Sequence, residues 1–246
     1  MKLFEGVRVL DLSRMLAGPY GSMLLADMGA EVIKIEDPDG GDPMRIMGPP
    51  FLPDGESAYF LAINRNKKSL ALDLSRDRRP RRCSYDLVRQ SDVVWENFRP
   101  GIMDRLGLAY SKLWSLNQRI IVCSVSAYGQ DGPYRDWPAF DLALQAMGGA
   151  MSVTGEAGGR PVRMGLPMAD LAGGMFGAFS IAGALFRRAR DRARALTSTS
   201  RCSTVRSRSS RTSRSTSGRT GACRFRSAPA TPRSCRTRRC RRATAT

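Results

Sequence analysis

The first thirty-six residues constrain the fold most. Val7–Leu10 is a short apolar run ending at Asp11, the pattern of a parallel strand buried on both faces. Arg14–Tyr20, RMLAGPY, reads as a turn, and Tyr20–Met28 as a helix that Gly29 closes. Glu31–Glu36, EVIKIE, predicts a second strand. Strand, turn, helix and strand in this order form a βαβ unit of the dinucleotide-fold kind. The glycine fingerprint of that fold is missing, so NAD binding is not implied.

The alternation continues. Ser69–Leu74, Asp92–Phe98 and Arg119–Tyr128 predict further strands. Tyr85–Gln90, Ile102–Leu106, Tyr110–Leu116 and Asp141–Met147 predict helices. The expected fold class is therefore α/β, a Rossmann-like parallel sheet with flanking helices. Asp37–Pro53 is a Pro/Gly-rich loop long enough to have a function of its own. The turn Asn97–Gly101 follows a strand end, where open α/β sheets gather their ligands; an ordinary solvated turn fits the same residues.

Met164–Arg188 reads as a turn and then a long apolar helix with Asp170 at its start. Gly173, Gly174, Gly177 and Ala178 make one side of it small, which admits a neighbouring backbone at some cost in helix propensity. Asp170 lies where unpaired N–H groups and the helix dipole favour an anion, so it suits either an N-cap or a working carboxylate. Leu171–Phe186 spans 16 residues, short of the ~18–20 a membrane span needs, which predicts a buried core helix.

The net charge of +18 is confined to one end. Residues 187–246 hold 19 arginines and a single acid, Asp191, while residues 1–186 hold 21 basic and 21 acidic residues. The basic stretch has one aromatic, Phe225, and too few large aliphatics to bury a core, so a disordered basic tail is expected over 189–246. Its RSRSSRTSRSTS segment resembles an arginine–serine element, which makes an RNA-associated protein the alternative function class. The six cysteines fit no zinc spacing and the chain has no histidine, so no metal is expected. MKLFEGVRVLDLS lacks signal-peptide architecture, and a cytoplasmic location is expected.

Several segments together carry a resemblance. VRVLDLS, LAGPYGSMLLADMGAEVIKIEDP, INRNKKSLALDL, DVVWENFRPGIMDRLGL, SVSAYGQDGPY and GLPMADLAGG resemble the family III CoA-transferases from Val7 to about Arg188. That family includes formyl-CoA transferase, carnitine CoA-transferase and α-methylacyl-CoA racemase. The resemblance implies that residues 1–188 are the N-terminal part of the family's large domain. It implies an interlaced homodimer, an acyl-CoA donor, a carboxylic acid acceptor, and coenzyme A as substrate with no permanently bound cofactor.

By the same resemblance Asp170 is the nucleophile. It attacks the acyl-CoA thioester, forms a mixed anhydride and then an aspartyl-CoA thioester, and passes CoA to the acceptor. Leu16, Ala17, Leu72, Asn97, Phe98, Arg99, Arg105 and Phe140 match the family's CoA-binding positions. Formyl-CoA transferase has glutamine where Leu16 stands, and relatives often carry a lysine near Ser75. Acyl-CoA racemase chemistry is the alternative within the family. Its His–Asp pair would fall at Phe140–Asp141, and no histidine is present.

Past Arg188 the relatives continue with a glycine-containing turn and a strand resembling DVDVSMLD. A G+C-rich coding string for PGAGTDVDVSMLD, read one base later, yields RARALTSTSRCS and the start of a threonine codon, which is Arg192–Thr204. A string for VLEN read the same way yields Ser209–Thr212. The expectation is a frameshift near Arg190 that leaves residues 189–246 out of frame and the chain inactive. Arg76–Ser84, RDRRPRRCS, has a similar composition and fits a short compensated shift.

Overall fold

The computed structural model describes residues 2–75, 79–191 and 201–205, with no side-chain description at 79–81, 191 and 201–205. The sheet contains β1 (Arg8–Asp11), β2 (Glu31–Glu36), β3 (Lys67–Ala71), β4 (Val93–Glu96), β5 (Ile121–Val125) and β6 (Arg201–Val205). All neighbours are parallel, in the order β3-β2-β1-β4-β5-β6. The chain runs outward from β1 to β3, then returns to β4 beside β1. That reversal is the topological switch point of a Rossmann sheet, and it opens a crevice at the carboxyl ends of β1 and β4.

Most predicted elements sit where expected, with shifted ends. β3 closes at Ala71 rather than Leu74, because Asp73 Oδ1 accepts the Ser75 N–H and turns the chain away. The helix expected over Tyr85–Gln90 extends back to Arg79 as α3 (Arg79–Arg89). One helix, α2 (Ala58–Asn64), has no counterpart in the sequence reading; Ser57 caps it through the Phe60 N–H at 3.2 Å. Within the basic stretch, the backbone of β6 adds an edge strand beside β5. The rest of that stretch, and residues 76–78 of the arginine-rich turn, lie outside the described residues.

Both faces of the sheet are covered. On one, Val9, Val93, Trp95 and Ile121 pack with Leu25 of α1 (Ala17–Asp27) and with Ala178, Ile181 and Leu185 of α7 (Met168–Asp191). On the other, Leu10, Leu12 and Val94 meet Val88 of α3, Leu108, and Leu113 of α5 (Tyr110–Leu116). The strand period of two explains the division, since Trp95 and Val94 point to opposite faces. The segment Met168–Arg190 is long and apolar enough to cross a bilayer, with mean hydropathy 1.4. Here it lies against α1 and the sheet, with Ile181 fully buried.

α1 and α7 approach each other backbone to backbone. A Cβ on Gly174 would stand 2.6 Å from the Ala17 carbonyl oxygen, and one on Gly21 would stand 2.6 Å from the Gly174 carbonyl oxygen. Beneath them Trp95 fills the floor, and a Cβ on Gly177 would come within 2.5 Å of its ring. The approach sets the first turns of both helices side by side above the crevice.

At the end of β4, Glu96 holds the turn that follows. Its Oε2 accepts the Phe98 N–H at 2.6 Å. Burial pushes the Glu96 carboxyl up to about 7, against hydrogen bonds from Ser124 and Phe98 that favour the charged form.

Two predictions follow from this packing. Gly174→Ala is expected to cost about 1–2 kcal/mol, because overpacking against backbone outweighs the gain in helix propensity. Gly183→Ala, with nothing within 4 Å of the new Cβ, is expected to gain ~0.5–1 kcal/mol. Urea denaturation of the two variants checks the opposite signs. Because Glu96 binds its proton more tightly folded than unfolded, its contribution to stability falls as pH rises from the ordinary carboxyl range through about 7. Glu96→Gln is expected to remove roughly 2–3 kcal/mol of the stability loss between pH 5 and pH 8. Denaturation midpoints at the two pH values measure it.

Candidate functional site

Two adjoining cavities open at the carboxyl ends of the strands. The first, about 640 Å³, is lined by Leu16, Ala17, Asn97, Phe98, Arg99, Phe140 and Asp170 among others. The second, about 580 Å³, is lined by Leu72, Arg105 and Ser75 and shares Asn97, Phe98 and Arg99 with the first. Every residue singled out from the sequence therefore lines one cavity or the other, and Leu72 and Arg105 stand apart from Asp170. The Asn97–Arg99 turn is the common wall.

Asp170 lies in the first turn of α7, half-buried. Among the described residues its carboxylate makes no hydrogen bond or ion pair. The cap of this helix comes from elsewhere. Asp141, which opens α6 (Asp141–Met147), accepts the Ala169 N–H at 2.8 Å and the Asp170 N–H at 3.4 Å through Oδ1. The cap role left open for Asp170 thus belongs to Asp141, and the Asp170 side chain is free to face the cavity. Burial, and secondly the negative charge of Asp141, push the Asp170 carboxyl up to about 6. Desolvation outweighs the helix dipole that was expected to keep it low.

Gln145 fixes this corner. Its Nε2 donates to Asp141 Oδ2 at 2.6 Å and to the Leu166 carbonyl at 3.2 Å, and its Oε1 accepts the Met164 N–H at 2.8 Å. The buried amide thus joins α6 to the strand of chain that leads into α7. The sequence placed Asp141 only in the racemase-type pair and missed Gln145, and neither was expected to hold the start of α7. Their spacing of four on one helix face, Asp before Gln, is the signal that points to them.

At the opposite wall, α1 begins without a capping side chain and without an acid in its first turn. Leu16 and Ala17 line the cavity there, at a helix start whose first N–H groups have no acceptor within the helix. Asn97 proves to be engaged: Nδ2 donates to the Arg14 carbonyl at 2.7 Å, and Oδ1 accepts the Arg14 N–H at 2.8 Å. Gly18 makes the approach possible, since a Cβ there would lie 2.9 Å from Asn97 Cγ. The Arg14 guanidinium stands 5.7 Å from the centre of the Phe98 ring. Phe140 is 75 % exposed at the mouth, next in line to Trp137, whose ring centre is 4.7 Å from that of Tyr134. Arg135 and Arg163 add cations to the same wall.

This arrangement offers a half-buried carboxylate without a partner among the described residues, an uncapped helix start, and three arginines, Arg14, Arg99 and Arg105, along the second cavity. A family model described as CoA-transferase family III matches residues 4–209. The chain is 46% identical over 190 residues to mouse succinyl-CoA:glutarate CoA-transferase, covering 77% of this chain and 43% of that protein. It is 46% identical over 188 residues to acetyl-CoA:oxalate CoA-transferase of Acetobacter aceti, covering 76% and 48%. A crystal structure of a CAIB/BAIF family protein from Brucella suis superposes with TM-score 0.72 at 41% identity, covering 76% of this chain and 50% of that one. The chain spans about half the length of the curated relatives it matches. By its fold, its switch-point cavities and these matches, the chain belongs to CoA-transferase family III.

Proposed function

We propose that the encoded enzyme moves CoA from an acyl-CoA thioester to a carboxylic acid, with Asp170 as the nucleophile. The Asp170 carboxylate attacks the thioester carbonyl and expels the CoA thiolate, leaving a mixed anhydride. The thiolate then attacks the aspartyl carbonyl, releasing the donor acid and forming an aspartyl-CoA thioester. The acceptor carboxylate attacks that thioester, and the freed thiolate takes the acceptor's acyl group, restoring Asp170. Splitting one acyl transfer into such steps is covalent catalysis.

The observation that carries this reading is the Asp170 carboxylate, unpaired among the described residues, in a cavity that continues past the Asn97–Arg99 turn to Arg105. An elongated ligand with a thioester at one end and phosphates at the other suits that path, and a guanidinium binds phosphate through paired donors. The relatives named for glutarate and oxalate make a short dicarboxylic acid the first acceptor to assay. Arg99, Arg163 and Arg135, the last ion-paired with Asp136 at 3.3 Å, line the Asp170 cavity as cations for its second carboxylate.

The proposal includes a cytoplasmic homodimer. Met175, Phe176, Phe179 and Phe186 leave an apolar face of α7 exposed, which such an assembly would cover. It also includes the frameshift: residues 189–246 read as an out-of-frame translation, supported by the unbroken match of Arg192–Thr204 to a shifted family string. Resequencing the gene across codons 186 onward tests this. A family-like frame continuing downstream supports it, and a clean read of the printed frame overturns it. The 246-residue chain is expected to aggregate and to turn over no acyl-CoA, whereas the frame-restored enzyme is active.

Asp170→Ala in the frame-restored enzyme is expected to lower kcat by about 10³-fold or more, as the loss of a covalent nucleophile does. Hydroxylamine trapping should label Asp170 in the parent after acyl-CoA is added. Full turnover by the variant and no label in the parent would sink the mechanism. The attacking form is the anion, so kcat/KM is expected to fall as pH drops through about 6. Asp141→Asn removes one of the two causes of the raised value, so that acid limb should move to lower pH. A pH–rate profile of parent and variant measures the displacement.

A further inference from the structure

The loop between β1 and α1 forms a wall of both cavities. Leu12 and Arg14 face one, and Met15 and Leu16 face the other. The loop is short and irregular, yet its backbone is held at every step. The Leu12 N–H donates to the Trp95 carbonyl at 2.8 Å, and the Ser13 N–H to Asp11 Oδ1 at 2.9 Å. Asn97 holds both polar groups of Arg14, as described above. Met15 has φ of 67°, a left-handed conformation that methionine adopts only where its surroundings hold it.

Two of the holding groups form a pair of their own. Lys34, in β2, donates from Nζ to the Ser13 carbonyl at 2.7 Å and lies 2.8 Å from Asp42 Oδ2. Asp42 Oδ1 accepts the N–H of Met15 at 3.2 Å and that of Met44 at 3.0 Å. The Asp42 N–H donates to Glu36 Oε2 at 3.1 Å. Lys34 and Asp42 are both 1 % exposed. Met44 and Met47, from the Pro/Gly-rich loop, also line the Asp170 cavity.

A buried ion pair is a poor stabilising device. Its desolvation cost is large, and a well-packed apolar pair often holds a fold as well or better. What an apolar pair lacks is direction. Lys34 and Asp42 supply three aimed bonds, to Ser13, Met15 and Met44, and these join two loops of the site. The neighbouring charges Asp11 and Lys67 are engaged in the same layer: Lys67 Nζ lies 3.2 Å from Asp11 Oδ2 and donates to the Pro19 carbonyl at 2.8 Å.

We infer that Lys34 and Asp42 are positioning residues of the cleft: the buried pair latches the β1–α1 loop to the 37–47 loop and sets the backbone at Leu16 and Ala17 for the acyl-CoA. This rests on the acyl-CoA reading of the cleft given above.

The test uses the frame-restored enzyme with K34M/D42L and, separately, Asp42→Asn, which retains an acceptor for Met15 and Met44. Two quantities are read: hydrogen exchange of the amides from Ser13 to Ala17, and affinity for CoA by calorimetry. In K34M/D42L, loop exchange is expected to quicken and the CoA Kd to rise, each about tenfold, while β1 and β2 amides stay protected. Asp42→Asn leaves the buried Lys34 ammonium without its carboxylate, so it is expected to move both quantities in the same direction as the double variant. Unchanged loop exchange overturns the inference. So does a rise shared equally by β1 and β2, or an unchanged Kd in a double variant whose parent binds CoA. A parent that binds no CoA defeats the acyl-CoA reading instead, and the exchange comparison still decides whether the latch exists. Should K34M/D42L not fold, K34M/D42N loses the ion pair and the bond to Ser13, keeps an acceptor for Met15 and Met44, and is read by exchange over the same amides.

Discussion

The close contact of α1 with α7 is the interaction on which the site depends. At Gly21 and Gly174 the two backbones meet with no side chain between them, and Trp95 supports them from the sheet. Without that approach, Leu16 and Ala17 at the start of one helix and Asp170 at the start of the other would not share a cavity. The glycines weaken α7 as an isolated helix by ~1 kcal/mol each. The sheet and α1 offset that through burial of Ala178, Ile181 and Leu185. The weak helix is therefore a stable element only in its tertiary place.

Electrostatics within the site follow from the same packing. A helix start favours an anion by ~0.3–1 kcal/mol. The rise of the Asp170 carboxyl from 3.8 to about 6 corresponds to roughly 3 kcal/mol against the anion. Desolvation therefore outweighs the dipole, and the nearby Asp141 adds to it. Asp141 takes the place at the helix start that Asp170 would otherwise fill. One carboxylate is used to hold the helix, and the other is left poised, ionised at neutral pH yet poorly solvated.

The switch-point architecture also explains why two loops far apart in sequence act as one wall. β1 and β4 are neighbours, so the turns after them meet, and Asn97 bridges to Arg14 across that junction. The β1–α1 loop is further tied to the chain after β2 through Lys34 and Asp42. Residues expected as ligand contacts thus divide into two kinds. Arg105 and Asp170 carry charge into the cavities, while Asn97 spends its amide on the backbone.

Much of this was legible in the sequence. The apolar runs at Val7–Leu10 and Asp92–Phe98, and the alternation with helices, determined a parallel α/β sheet, because strand and helix periods are local properties of the chain. The small-residue side of α7 and the carboxylate at its start were visible for the same reason, as was the break in composition at residue 187. The sequence left Asp170 open between cap and working group, and tertiary structure gave the cap to Asp141. Asp141 reaches the helix start from another element, and no local pattern reports which of two acids will be there. The order of the strands, the capping of α2 by Ser57, the engagement of Asn97 and the burial of Lys34 with Asp42 were likewise decided by the fold. Each depends on groups brought together from distant parts of the chain, where desolvation and geometry outweigh local preference.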